Sequence, residues 1–129
     1  MIESSQRLDD KLAYDFKLPE FMIRVDVPQS KGGTHTAPDP HDYLEVALAG
    51  CTAITIQMYA NRKGIPLKSV DVKIKITKEG PEGNEISREL KFEGDLSQEQ
   101  KNSLLAIAEK CPIHRFLEKG AKIVSRMSE

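Results

Sequence analysis

The chain has 129 residues, enough for one domain with a substantial core. Its 19 lysines and arginines almost cancel 20 aspartates and glutamates, and it has few aromatics and no tryptophan, which argues against a broad nucleic-acid or anionic-membrane footprint and a base-stacking platform. The polar start MIESSQRLDDK lacks a signal-peptide layout, and the longest apolar run, Val46 to Ala60, is interrupted by Thr52 and Gln57 and is too short for a bilayer. A soluble, cytoplasmic protein that engages neither nucleic acid nor membrane is expected, and in a reducing compartment its two cysteines are unsuited to a structural staple.

No repeat, low-complexity tract or linker stands out, so residues 1–129 are read as a single domain. KLAYDFKL (11–18) and EFMIRVDV (20–27) read as strands around Pro19. In the second, Phe21, Ile23, Val25 and Val27 alternate with Met22, Arg24 and Asp26, a period of two with one apolar face. Residues 28–40 have the glycines and prolines of a loop. The loop ends in a helix-start signal: Asp39 as N-cap, Pro40 at the first helical position and Asp42 in the first turn. A helix over 41–64 follows, closed by Gly64 with Arg62 and Lys63 in its last turn. Leu44, Leu48, Cys51, Ile54 and Met58 share one face, but Val46, Ala47, Ala49, Gly50 and Ala53 carry the apolar surface almost all the way round. Such a helix is buried on most sides, and its small residues admit close approach by another helix.

Residues 69–80 alternate at Val70, Val72, Ile74 and Ile76, and residues 84–94 at Ile86, Leu90 and Phe92, with GPEG between them as a hairpin turn. Ser97 and Gln100 form a capping-box pattern before a second helix striped by Leu104, Ile107, Ala108 and Cys111. Pro112 can open a short third helix to about Lys119, stopped by Gly120, and AKIVSRM (121–127) reads as a last strand. The order β-β-α-β-β-α-α-β makes this an α+β protein with one cysteine on each main helix.

Cys111, as N-cap of the third helix, meets backbone N–H groups and the positive end of a helix dipole, with Lys110, His114 and Arg115 nearby in sequence. On that basis Cys111 is expected to ionise near neutral pH. Cys51 sits mid-helix and needs a cation from elsewhere, for which Arg24 is a candidate. Either thiol alone is readily read as a small core residue, and Cys51 alone is more often core than catalyst. A metal site from the C-x-x-H of Cys111 and His114, with His35, His41 and Cys51, is the weaker alternative, because zinc sites show two tight ligand pairs. Glu45 and Glu109 lie near the cysteines in sequence and read as solvated faces or ion-pair partners. No G-x-S-x-G, phosphate-binding glycine motif or Cys-x-x-Cys is present.

Two stretches together resemble a known family. PDPHDYLEVALAGCTAITIQMYANRKGIPLKSVDVKI (38–74) is similar to the helix-and-strand signature around the first cysteine of the OsmC/Ohr family, and LSQEQKNSLLAIAEKCPIHRFLEKGAKIVSRM (96–127) to its second, Cys-Pro signature. The resemblance implies an OsmC-like α+β fold, an intertwined homodimer with central helices wrapped by antiparallel sheets. It implies thiol-dependent reduction of peroxides, organic hydroperoxides above all, in oxidative stress defence. Cys51 would be the peroxidatic thiol and Cys111 the resolving one, reduced by an external dithiol, with no metal or organic cofactor. In the family's peroxidases a glutamate ten residues before the first cysteine pairs with an activating arginine. Here that place is taken by His41, with Asp42 beside it, and Arg24 is the candidate arginine. CPIHR is closer to the broad OsmC-like branch than to the organic hydroperoxide resistance branch, leaving His114 and Arg115 as tuning candidates. The alternative function is a non-enzymatic dimer of the same fold that binds a small molecule or senses redox state.

Overall fold

The computed structural model describes residues 1–128, and their backbone divides into a unit spanning Met1–Leu44 and a second from Glu45 onward. In the first unit, β1 (Ser4–Arg7), β2 (Tyr14–Lys17) and β3 (Met22–Val25) form an antiparallel meander in that order, with Ser4 opposite Lys17 and Tyr14 opposite Val25. The strand β1 has no sequence signal: SSQR is polar and exposed throughout, and only its backbone ladder to β2 makes it a strand.

The expected polar face of the next strand is reversed at its end. Phe21 and Met22 are exposed, whereas Asp26 is buried. The ladder stops at Val25, so Asp26 turns into the loop. There its carboxylate accepts from the Val27 amide (2.7 Å), the Thr34 hydroxyl (2.8 Å), and the amide (2.9 Å) and hydroxyl (2.7 Å) of Thr36. The Thr36 amide and hydroxyl above all, helped by Val27 and Thr34, outweigh desolvation and hold this carboxyl far below the usual carboxylate range. A Cβ at Gly33 would overlap the Val27 carbonyl oxygen, so the same loop tolerates only glycine there.

The helix α1 (Pro40–Lys63) begins as expected: Asp39 accepts from the Asp42 amide (2.9 Å) and Asp42 accepts from the Asp39 amide (3.0 Å). Within the second unit, its buried stripe is Leu48, Thr52, Ile56 and Ala60. This corrects the expected face, since Ile54 and Met58 are exposed. A helix apolar on nearly every side carries no period that selects one, so its packing partners choose.

Those partners are a hairpin and α2. β4 (Leu67–Lys78) and β5 (Glu85–Gly94) pair antiparallel. Val70 faces Phe92, Val72 faces Leu90 and Ile76 faces Ile86 on the half-buried side, while Asp71–Lys91 and Lys73–Glu89 set opposite charges across the exposed side. α2 (Gln98–Ala108) starts at the Ser97–Gln100 capping box, with reciprocal bonds of 3.1 and 2.9 Å. Ile56, Ala60, Leu67, Leu104 and Ala108 form the buried core, covered by Val70, Leu90, Phe92 and Ile107. α3 (Pro112–Lys119) follows.

The strand expected over 121–127 is not formed. Ile123, Val124 and Met127 are exposed, and no strand among the described residues offers this segment a ladder. Alternation can mark a strand, but its backbone groups need a partner to make one. Among the described residues no helix is long and apolar enough to cross a membrane.

Candidate active site around Cys51 and Cys111

Within the second unit, α1 places Cys51 one residue off its buried stripe, half-buried, while Cys111, three residues past the Ala108 end of α2, is fully buried. Both are free thiols. Cys111 is the N-cap of α3 in an extended conformation, and Pro112 takes the first helical position. Proline has no N–H, so the first amides that α3 presents are those of Ile113 and His114. The two thiols come near enough at this helix start to shift each other's ionisation.

Their environments pull them apart. For Cys51 the largest influence, burial, pushes its pKa up. The Cys111 thiol, the Ile113 amide and the Thr55 hydroxyl (3.9 Å from Sγ) together outweigh it and bring the pKa below that of an ordinary thiol. For Cys111, burial and then the neighbouring Cys51 push the pKa up, against weaker lowering by the amides of His114 and Ile113. This reverses the expectation that Cys111 ionises near neutral pH. The amides at the start of α3 are there, but at Cys111 burial and the neighbouring Cys51 outweigh them. The arrangement suits Cys51 to carry the negative charge and Cys111 to hold the proton.

The other sequence candidates are placed as follows. Arg24, on β3 in the first unit, closes its guanidinium on Asp15 (Nε–Oδ1 2.8 Å, Nη2–Oδ2 3.3 Å), and each raises the other's preference for its charged form. His41 and Asp42 lie in the first turn of α1, where Asp42 is occupied by the capping box. His114 packs its Nε2 between Glu109 (3.1 Å) and Glu118 (3.0 Å) while its backbone amide turns toward Cys111. Arg115 is exposed on α3. Among the described residues no three His, Cys, Asp or Glu side chains gather as ligands for a metal ion. The residues that sequence reasoning overlooked are Thr55, one turn beyond Cys51, and the Ile113 amide. The first was legible from its i+4 spacing; the second is a backbone group with no side-chain signature.

The model of the family described as OsmC-like protein matches residues 32–126, which includes both cysteines. The chain belongs to this family. No curated protein matches it in sequence. Among solved structures, an OsmC-like protein from Mycoplasma pneumoniae superposes with a TM-score of 0.75 at 19% identity, covering 89% of this chain and 84% of that one. An organic hydroperoxide resistance protein OsmC from Legionella pneumophila, described also as a predicted redox protein and regulator of sulfide bond formation, gives 0.62 at 20%, covering 88% and 87%. The organic hydroperoxide resistance protein OhrB of Bacillus subtilis gives 0.59 at 17%, covering 87% of each chain. The α+β architecture of helices and antiparallel sheets is therefore the OsmC-like fold.

In this OsmC-like protein the thiol contact makes a testable link between the two sulfurs. The pH at which Cys51 becomes half-reactive toward iodoacetamide, followed on its own peptide by mass spectrometry, is expected to rise in Cys111→Ala. Losing a donor to the thiolate favours the protonated form. Cys111→Ser restores a hydroxyl donor and is expected to recover part of the shift. An unchanged profile in Cys111→Ala would show that Cys111 does not tune Cys51.

Proposed function

We propose that this chain is a thiol peroxidase of organic hydroperoxides, acting in oxidative stress defence through a Cys51–Cys111 thiol/disulfide cycle. The carrying observation is the shared sulfur site in which Cys51 is acidified and Cys111 is held protonated. The names of the Legionella and Bacillus structures point to the same substrate class. The Cys51 thiolate attacks one peroxide oxygen; an S–O bond forms, the O–O bond breaks, and the alkoxide leaves as an alcohol by taking a proton. In this reading the Cys111 thiol supplies that proton, and its loss readies Cys111 as the second nucleophile. Its thiolate then attacks the Cys51 sulfenic sulfur, the S–O bond breaks as the disulfide forms, and the departing hydroxide takes a proton from solvent to become water. An external dithiol reduces the disulfide and is itself oxidised. No metal or organic cofactor enters the cycle.

Residues 1–129 act as one OsmC-like domain in this reading, and two copies form a homodimer. Supporting the latter, Val46, Ile54 and Met58 stand exposed on α1 along one ridge with Gly50, where open space surrounds the glycine. The experiment is a titration of reduced protein with cumene hydroperoxide in the absence of reductant. One equivalent is expected to consume both thiols of a chain and leave an intrachain disulfide between Cys51 and Cys111, seen in the non-reducing peptide map. Thiols that survive excess peroxide would overturn the proposal.

A further inference from the structure

One side chain on the inner face of the hairpin does not belong to a core. Arg88 occupies the place in β5 where the alternation of Ile86, Leu90 and Phe92 calls for an apolar residue, and it stands opposite Ile74. It is half-buried. Its guanidinium has five N–H donors, yet among the described residues it makes one hydrogen bond, from Nη1 to the Thr52 hydroxyl oxygen (3.1 Å), and no ion pair. Thr52 is a neutral partner, and its own hydroxyl proton is committed to the Leu48 carbonyl (2.7 Å). A guanidinium partly withdrawn from water between Ile86 and Leu90 on the same face of β5, with most donors making no bond to protein, is a positive charge that an anion would compensate. Its planar fork fits a carboxylate with two parallel bonds. Thr52 immediately follows Cys51 in α1 and is fully buried, so Arg88 reaches the helical turn that carries the candidate nucleophile.

We infer that Arg88, steadied by Thr52, is a carboxylate-binding subsite, and that the preferred hydroperoxides carry a carboxylate on an apolar body. The carboxylate rests on Arg88 and the apolar body lies against the neighbouring aliphatic side chains. The inference deepens the peroxidase reading and rests on it for the word substrate, but the subsite can be tested without turnover. Arg88 acts here as a specificity residue and takes no part in the proton or electron steps.

The test compares cumene hydroperoxide with its para-carboxylate analogue, and adds 4-isopropylbenzoate and its methyl ester as ligands that cannot react. Arg88→Met keeps the length of the side chain and suits an apolar face, so the variant is expected to fold. In it, KM for the carboxylate peroxide is expected to rise roughly tenfold or more, the loss of a charge-assisted bond, with KM for cumene hydroperoxide and both kcat values little changed. Arg88→Lys, which keeps the charge without the fork, is expected to fall between. By equilibrium dialysis the wild type is expected to hold 4-isopropylbenzoate better than the ester, and Arg88→Met to lose that preference. The inference is overturned if the wild type shows no preference for the acid, or if Arg88→Met weakens both peroxides alike. Should no hydroperoxide be turned over, the peroxidase reading falls, and the dialysis comparison alone upholds or overturns the subsite.

Discussion

Cys51→Ser is expected to lower peroxide turnover with a dithiol reductant by on the order of a hundredfold or more, to the background of reductant alone. The reason is the difference between the two nucleophiles. A thiol brought below its ordinary pKa by Cys111, Ile113 and Thr55 is ionised more readily than a free cysteine, whereas a serine hydroxyl in the same contacts stays protonated. Cys111→Ser separates the two roles. It keeps an attacking thiolate, so it is expected to consume one equivalent of cumene hydroperoxide rapidly and then stall as a Cys51 sulfenic acid that dimedone traps. Rapid-mixing measurements of peroxide loss with the two variants read both effects. Wild-type turnover in Cys51→Ser would remove Cys51 from the chemistry, and a multiple-turnover Cys111→Ser would remove Cys111 from the resolving role.

The second large effect is on stability. Leu104→Ala is expected to cost about 2–5 kcal/mol, the range for deleting a buried leucine and leaving a cavity. Leu104 is fully buried in the cluster with Ile56, Ala60, Leu67 and Ala108, and it precedes the half-turn that delivers Cys111. Because a domain's whole margin is about 5–15 kcal/mol, the variant is expected to show a clear fall in the denaturant midpoint at unchanged slope. A cost under about 1 kcal/mol would mean that this cluster is not the core that the burial indicates.

The helix starts and the hairpin were legible because their signals are local. The capping pairs at Asp39–Asp42 and Ser97–Gln100, Pro112 at the first position of α3 and the alternation of β4 and β5 each depend on residues a few positions apart. What was not legible depends on partners. β1 exists because β2 pairs with it, the tail at 121–127 has the pattern of a strand without a ladder, and α1 had no single apolar face to read. The candidate site divides the same way. Both cysteines were visible, but which of them is acidified depends on burial and on one backbone amide. Arg88 left a trace as the charged residue interrupting an apolar alternation, and only the three-dimensional contact with Thr52 gives that trace a meaning.

The start of α3 binds chemistry and folding into one equilibrium. The Ile113 amide that steadies charge on Cys51 is aimed there by residues 112–119 wound as a helix with Cys111 at its cap. Linkage then runs in both directions: a helix that stabilises the thiolate is itself stabilised by the thiolate, by the same free energy. On that linkage, deprotonation of Cys51 is expected to favour the wound α3, and oxidation or alkylation, which removes that charge, to favour its fraying. Amide exchange over residues 112–119 is then a readout of the sulfur's charge, expected to slow when Cys51 is ionised and to quicken when it is alkylated.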